Sequence, residues 1–228
     1  MYGLRKMKWL IKRFLYVRII LNWAWEPDRY DFDSRVEQWG LYRGKKLVGG
    51  VRLFYVNRIE DTLQYRVPSF RLMIKDSIWF NLRYLENDLV EATRLLIFPP
   101  ILRTKEKYVG FRWISRRICT SMIHSNRPFL LAVVNPFTLR LIESTKAADV
   151  KIIGKSMFDS KNRMEYRSYG SHVPHYAILV NFVNTIKALD DPLWWCKEVK
   201  LSDDWFSGKL DRGAELWESL GSMPYSWR

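Results

Sequence analysis

Glu26, Asp28 and Asp31 set three carboxylates within six positions, in the run Trp23-Ala-Trp25-Glu26-Pro-Asp28-Arg-Tyr30-Asp31. Like charges at that spacing repel unless a cation sits among them. Arg52, ending the apolar stretch Leu47-Val-Gly49-Gly50-Val-Arg52, is a natural cation, because its rigid fork can hold two carboxylates. A substrate bearing a positive sulfonium or ammonium is another. A second ionic pair, Glu91-Ala-Thr-Arg94, precedes the apolar run Leu95-Leu-Ile-Phe98. Residues three apart point to opposite faces of a strand but are neighbours on a helix. On a strand, Glu91 would turn to a reaction cleft and Arg94 to a carboxylate beneath. Such a set could hold a cationic amine and take a proton from it. A structural knot of salt bridges is the alternative for the same residues.

The elements that must position these groups read as follows. Leu4, Met7, Ile11, Phe14, Val17 and Leu21 follow helical spacing, which predicts an amphipathic helix from Met1 to Leu21 with Lys6, Lys8, Lys12 and Arg13 around it. It reads as a helix packed on a sheet, with peripheral contact to an anionic membrane as the alternative. Asp28 to Ser34 is an acidic turn. Val36 to Tyr42 and Lys46 to Val56 read as strands joined by a hairpin at Arg43-Gly44. A short helix over Ser69 to Phe80 and a strand over Leu89 to Phe98 follow. The next helix spans Phe111 to Ser125, and Phe129 to Val134 is a buried strand. Pro136 opens a helix to Ala148, and Val150 to Ile153 and His175 to Phe182 are strands. Strands alternating with helices predict an α/β fold, a mixed central sheet flanked by helices.

Composition bounds the function. The 228 residues are 48% hydrophobic and 27% charged, an ordinary globular mixture with a large core. The formal charge of +14 implies an anionic partner. Cys119 and Cys196 are too few and too far apart for a disulfide framework, and His124, His172 and His175 form no zinc motif. No metal is expected. No apolar run reaches the roughly eighteen residues of a membrane span, and no signal peptide is convincing, so the expectation is a cytoplasmic protein. Residues 1–190 read as the main domain and 191–228 as a tryptophan-rich extension, packed on it or used for partner contact. No G-x-S-x-G or Cys/His signature of a covalent nucleophile occurs.

E-x-D-x-Y-D at Glu26–Asp31, then G-x-x-R-L at Gly49–Leu53, then E-x-x-R at Glu91–Arg94, resembles the acyl-homoserine lactone synthase (autoinducer synthase) family of GNAT-fold acyltransferases. The resemblance implies catalytic positions at Glu91, Glu26, Asp28, Asp31, Arg52 and Arg94. It implies a pocket for S-adenosylmethionine (SAM) at Arg13, Trp23, Trp25, Asp28 and Asp31. Phe129, Leu131, Val133, Asn135, Phe137, Leu141 and Ile142 would line the acyl chain, with Asn135 near a 3-oxo group. The reaction implied is attack of the SAM α-amine on an acyl thioester, then lactonisation with loss of methylthioadenosine. SAM is then a substrate, and no cofactor is permanently bound. Three features depart from the family: Val17 where an aromatic is usual, a shorter segment between Trp23 and Glu26, and no evident first strand.

CoA-dependent GNAT enzymes carry a glycine-rich pyrophosphate loop after the long central strand. Phe98 to Phe111 holds a single glycine, Gly110, which favours an acyl carrier protein as donor. Arg103, Lys105, Lys107, Arg112, Arg116, Arg117, Lys146, Lys151 and Lys155 are its candidate contacts. Two other readings compete: a GNAT N-acyltransferase using acyl-CoA or acyl carrier protein on another amine, and a basic nucleic-acid-binding protein. The second draws on the charge and the aromatics, but no helix-turn-helix, zinc or RRM signature supports it.

Overall fold

The computed structural model describes residues 2–6, 33, 35–97, 104–144, 149–156 and 174–181. Seven strands form one sheet. They are β1 (Tyr2–Lys6), β2 (Val36–Arg43), β3 (Lys46–Tyr55), β4 (Leu89–Ile97), β5 (Phe129–Val134), β6 (Asp149–Ser156) and β7 (His175–Asn181), in the order β1-β2-β3-β4-β5-β7-β6. Helices α1 (Leu63–Arg66), α2 (Pro68–Met73) and α3 (Asp76–Arg83) separate β3 from β4. The long α4 (Thr104–Ser125) joins β4 to β5, and α5 (Pro136–Ser144) follows β5. The chain forms two compact units. One holds β1 to β3, β4 from Ala92 and α4 to Ile118; the other holds Val56–Glu91, the end of α4, β5, α5, β6 and β7.

In the first unit the β2–β3 hairpin forms as expected, from Val36↔Phe54 to Arg43↔Lys46. Gly44 turns the chain at φ +60°, a backbone geometry where a side chain is strained. β3 is buried without a break from Val48 to Phe54, as a strand covered on both faces must be.

The N-terminus corrects the sequence reading. Tyr2–Lys6 is a strand, paired antiparallel with β2 from Tyr2↔Arg43 to Lys6↔Trp39. The helix from Met1 therefore does not start there, and the first strand that seemed absent is present. Five residues are too few for periodicity to decide between helix and strand, and the open edge of β2 decides it. The rest of the expected helix lies outside the described residues.

In the second unit the helix expected over Ser69 to Phe80 is two helices. Ile74 adopts an extended conformation between them (φ −107°, ψ 129°) and bridges to Gly154 of β6. The indole of Trp79 bonds the Arg71 carbonyl at 3.0 Å and holds α2 and α3 together. Gly154 is required there, because a Cβ would overlap the carbonyl of Met73. β7, the last described strand in sequence, pairs antiparallel with both β5 and β6. α4 begins seven residues before Phe111, and α5 is described to Ser144, short of the expected Ala148. The extension at 191–228 lies outside the described residues. No described helix is long and apolar enough to cross a membrane.

Candidate active site

In the first unit, Arg52 sits opposite Gln38 across the hairpin and is 1% exposed. A buried guanidinium needs partners. Its Nε–H donates to Thr93 Oγ1 of β4 at 2.8 Å. The next residue, Arg94, is 6% exposed and has φ 53°. A non-glycine residue in the left-handed region costs about 1–2 kcal/mol and breaks strand alternation, as at a bulge. The side chain of Arg94 is therefore not placed by simple alternation from Glu91, contrary to the sequence argument.

Also in this unit, the Arg117 guanidinium stacks on Trp39 at 3.5 Å from the ring centroid. Arg116 lies 5.8 Å from the centroid of Trp113. Arg112, Arg116 and Arg117 are all half-buried. Arg117 is thus packed against Trp39 of β2. In the second unit, Lys151 and Lys155 lie on β6, half-buried, with the Lys155 ammonium 5.6 Å from the ring centroid of Tyr176.

Glu91 belongs to the second unit and is 1% exposed. Its Oε2 accepts from the Leu63 N–H and its Oε1 from the Gln64 N–H, both at 2.9 Å. These amides open α1, where intrahelical partners are lacking, so the carboxylate caps the helix and meets its positive end. Thr62 completes the cap, its hydroxyl oxygen accepting from Tyr65 N–H at 3.2 Å. Both oxygens of Glu91 are engaged with the main chain. That geometry suits a fixed negative charge better than a proton acceptor.

Arg127 anchors the same unit. It donates to the carbonyls of Val56, Glu86 and Leu89 and, at 3.1 Å, to Asn57 Oδ1. The Glu86 carboxylate accepts from Ile59 N–H at 2.6 Å. The loop leaving β3 and the start of β4 are thereby tied together.

Of the acyl-chain candidates, Phe129, Leu131 and Val133 share one face of β5 by its two-residue period, and the first two are buried. Leu141 and Ile142 on α5 are half-buried. Asn135 is exposed, and its Oδ1 accepts from Thr138 N–H at 2.8 Å, the bond of a helix cap. Phe137 is 55% exposed. Arg13, Trp23, Trp25, Glu26, Asp28, Asp31, Arg103 and Lys146 lie outside the described residues, and Lys105 and Lys107 fall on the first turn of α4. Sequence reasoning missed Thr93, Gln64 and Arg127. Thr93 stood inside the E-A-T-R run; the other two carry no sequence signal.

No family model matches the sequence, and no curated protein matches it. Solved structures do. FeeM, an N-acyl amino acid synthase from uncultured soil microbes, superposes with TM-score 0.58 at 14% identity, over 82% of this chain and 93% of its own. The AHL synthase LasI superposes with TM-score 0.53 at 10% identity, over 89% of this chain and 97% of its own. The ribosomal-protein-S18-alanine N-acetyltransferase from Escherichia coli gives TM-score 0.51 at 9% identity, over 80% of this chain and 94% of its own. The mixed sheet with its flanking helices is therefore a GNAT-like fold, shared with acyl-homoserine lactone synthases and N-acetyltransferases.

Proposed function

We propose that this protein is a cytoplasmic N-acyltransferase that moves a fatty acyl group from acyl carrier protein to the α-amine of SAM and closes the product to an N-acyl-homoserine lactone. The observation that carries the reading is the burial of Arg52 on β3 and Arg94 on β4 in the first unit and, within the second, of Glu91. Buried charges are costly, and a sheet that retains them at the positions named by E-x-x-R and G-x-x-R-L favours a functional role.

The amine attacks the thioester carbonyl; a C–N bond forms, the C–S bond breaks and the carrier thiol leaves. Glu91 supplies fixed negative charge, and Glu26 is the candidate proton acceptor, directly or through a water. The irregular backbone at Arg94 is a candidate for turning an N–H toward the developing oxyanion. The substrate carboxylate then attacks its own γ-carbon; a C–O bond forms, the Cγ–S bond breaks, and methylthioadenosine departs with that electron pair. Holding that carboxylate near the carbon is most of the catalysis.

A second reading, acylation of an ordinary amino acid, is favoured by the likeness to an N-acyl amino acid synthase. One experiment separates them. Purified protein is incubated with acyl carrier protein loaded with a fatty acyl group, SAM and a mixture of amino acids, and products are read by mass spectrometry. Methylthioadenosine together with an acylated lactone supports SAM. An N-acyl amino acid without methylthioadenosine supports the second reading, and no acyl product of either kind removes both.

A further inference from the structure

Gln64 in α1 is 1% exposed, and its Oε1 has no hydrogen-bond partner among the described residues. The amide can turn over and set either its oxygen or its NH2 at the unmet position, so the neighbouring groups decide which partner the position takes. Buried amide groups are bonded in the great majority of folded proteins, and an exception points to something that bonds there.

The surroundings narrow what that is. The main-chain N–H of the same residue donates to Glu91 Oε1 at 2.9 Å, so the backbone of Gln64 is fixed against a buried carboxylate of β4. The Thr62 cap fixes the turn from the other side. The free oxygen therefore lies within one side-chain length of a negative charge. An anionic group, such as a phosphate of the acyl donor, would be repelled there, and an acyl chain would leave the oxygen unmet. An amine or ammonium offers only N–H donors and gains from the adjacent charge.

We propose that Gln64 is a specificity-determining residue whose Oε1 accepts an N–H from the acceptor amine and orients its lone pair toward the thioester. The proposal rests on the N-acyltransferase reading above. No proton moves to Gln64; it only receives a hydrogen bond.

Gln64→Met keeps the length of the side chain and removes the oxygen. With acyl carrier protein saturating, the KM for SAM (or for the amino acid, if that is the acceptor) should rise about tenfold or more, the range for a lost bond to a charged group. The KM for the acyl donor should not change, and Tm should equal or exceed that of the unmodified protein, since an unmet polar group has gone. A lowered Tm with an unchanged amine KM would assign the amide to a structural role, such as holding a buried water, and overturn the proposal. If the variant does not fold, the unmodified enzyme answers through the α-deamino form of the acceptor, which has no N–H to donate. That form should bind about tenfold more weakly, and equal binding overturns the proposal. If the unmodified protein acylates no amine, the N-acyltransferase reading and this inference both fall. If it acylates normally and Gln64→Met matches it, this inference alone falls.

Discussion

Arg52 and Thr93, on neighbouring strands, are joined by a 2.8 Å hydrogen bond in which the guanidinium Nε–H donates to the hydroxyl oxygen. Pinning Nε fixes the plane of the fork and with it the direction of both terminal nitrogens. A lysine has no equivalent of this internal anchor.

Arg52→Lys should therefore remain folded yet lose about 100-fold or more in kcat/KM, equivalent to roughly 2.7 kcal/mol of transition-state stabilisation. Thr93→Val keeps the shape and removes the anchor, and its loss should be nearer tenfold, about 1.4 kcal/mol. Steady-state kinetics on both variants tests the point. Normal turnover by a folded Arg52→Lys enzyme would remove the arginine from the chemistry.

Glu91→Gln should destabilise the protein by about 1–3 kcal/mol, because one carboxylate oxygen facing an amide is replaced by an NH2 group that cannot accept. Urea denaturation measures this. A variant as stable as the parent but without turnover would instead return Glu91 to the role of proton acceptor.

Arg127→Met leaves the carbonyls of Val56, Glu86 and Leu89 without their shared donor. The expected cost is about 2–4 kcal/mol for a charged group serving several buried acceptors. The readout is a lower denaturation midpoint with an unchanged slope. A shift under 0.5 kcal/mol, the level of an ordinary surface substitution, would show that the clamp contributes little.

Gly154→Ala places a methyl against the Met73 carbonyl, a backbone atom that cannot rotate away. The α2–α3 junction must move, at about 1–3 kcal/mol for an overpacked site. Thermal unfolding should show a clear drop in Tm, whereas Gly44→Ala, with open space around it, should show only the smaller strain of its positive φ.

Product formation should fall as salt rises if a carrier protein is steered by basic groups, since screening acts over about 8–10 Å near physiological ionic strength. Arg116→Glu with Lys151→Glu should raise the KM for acyl carrier protein and leave that for SAM unchanged. Arg117 is excluded from the design because it is stacked on Trp39. Salt-independent use of acyl-CoA would contradict the carrier-protein assignment.

Much of the sheet was legible in the sequence because its strands carry strong local signals. The β2–β3 hairpin is marked by Gly44, β4 by the apolar run that begins at Leu95 and β5 by six consecutive apolar residues. What escaped depends on partners distant in sequence. β1 is a strand because β2 offers it an edge, and the α2–α3 break exists because Ile74 meets Gly154, eighty positions later. The site shows the same division. The motifs singled out Arg52, Glu91 and Arg94 by type and spacing, whereas the capping of α1 by Glu91 needed the fold to bring residues 63 and 91 together. Asn135 shows a local counterpart: a polar residue just before a helix-opening proline caps the helix.

The placement of β7 sets the order in which the polypeptide can mature on the ribosome. Among the described residues, β5 and β6 are separated by a gap one strand wide that His175–Asn181 fills, pairing from Phe129↔Asn181 on one side to Ser156↔His175 on the other. Until that segment has been synthesised, two nascent edges stand unpaired, one of them the wholly apolar Phe129–Val134. Exposed apolar edges recruit other chains. Stalled or clipped products ending before His175 should therefore be the aggregating species in the cell, and chaperone demand should be concentrated in that late window of translation.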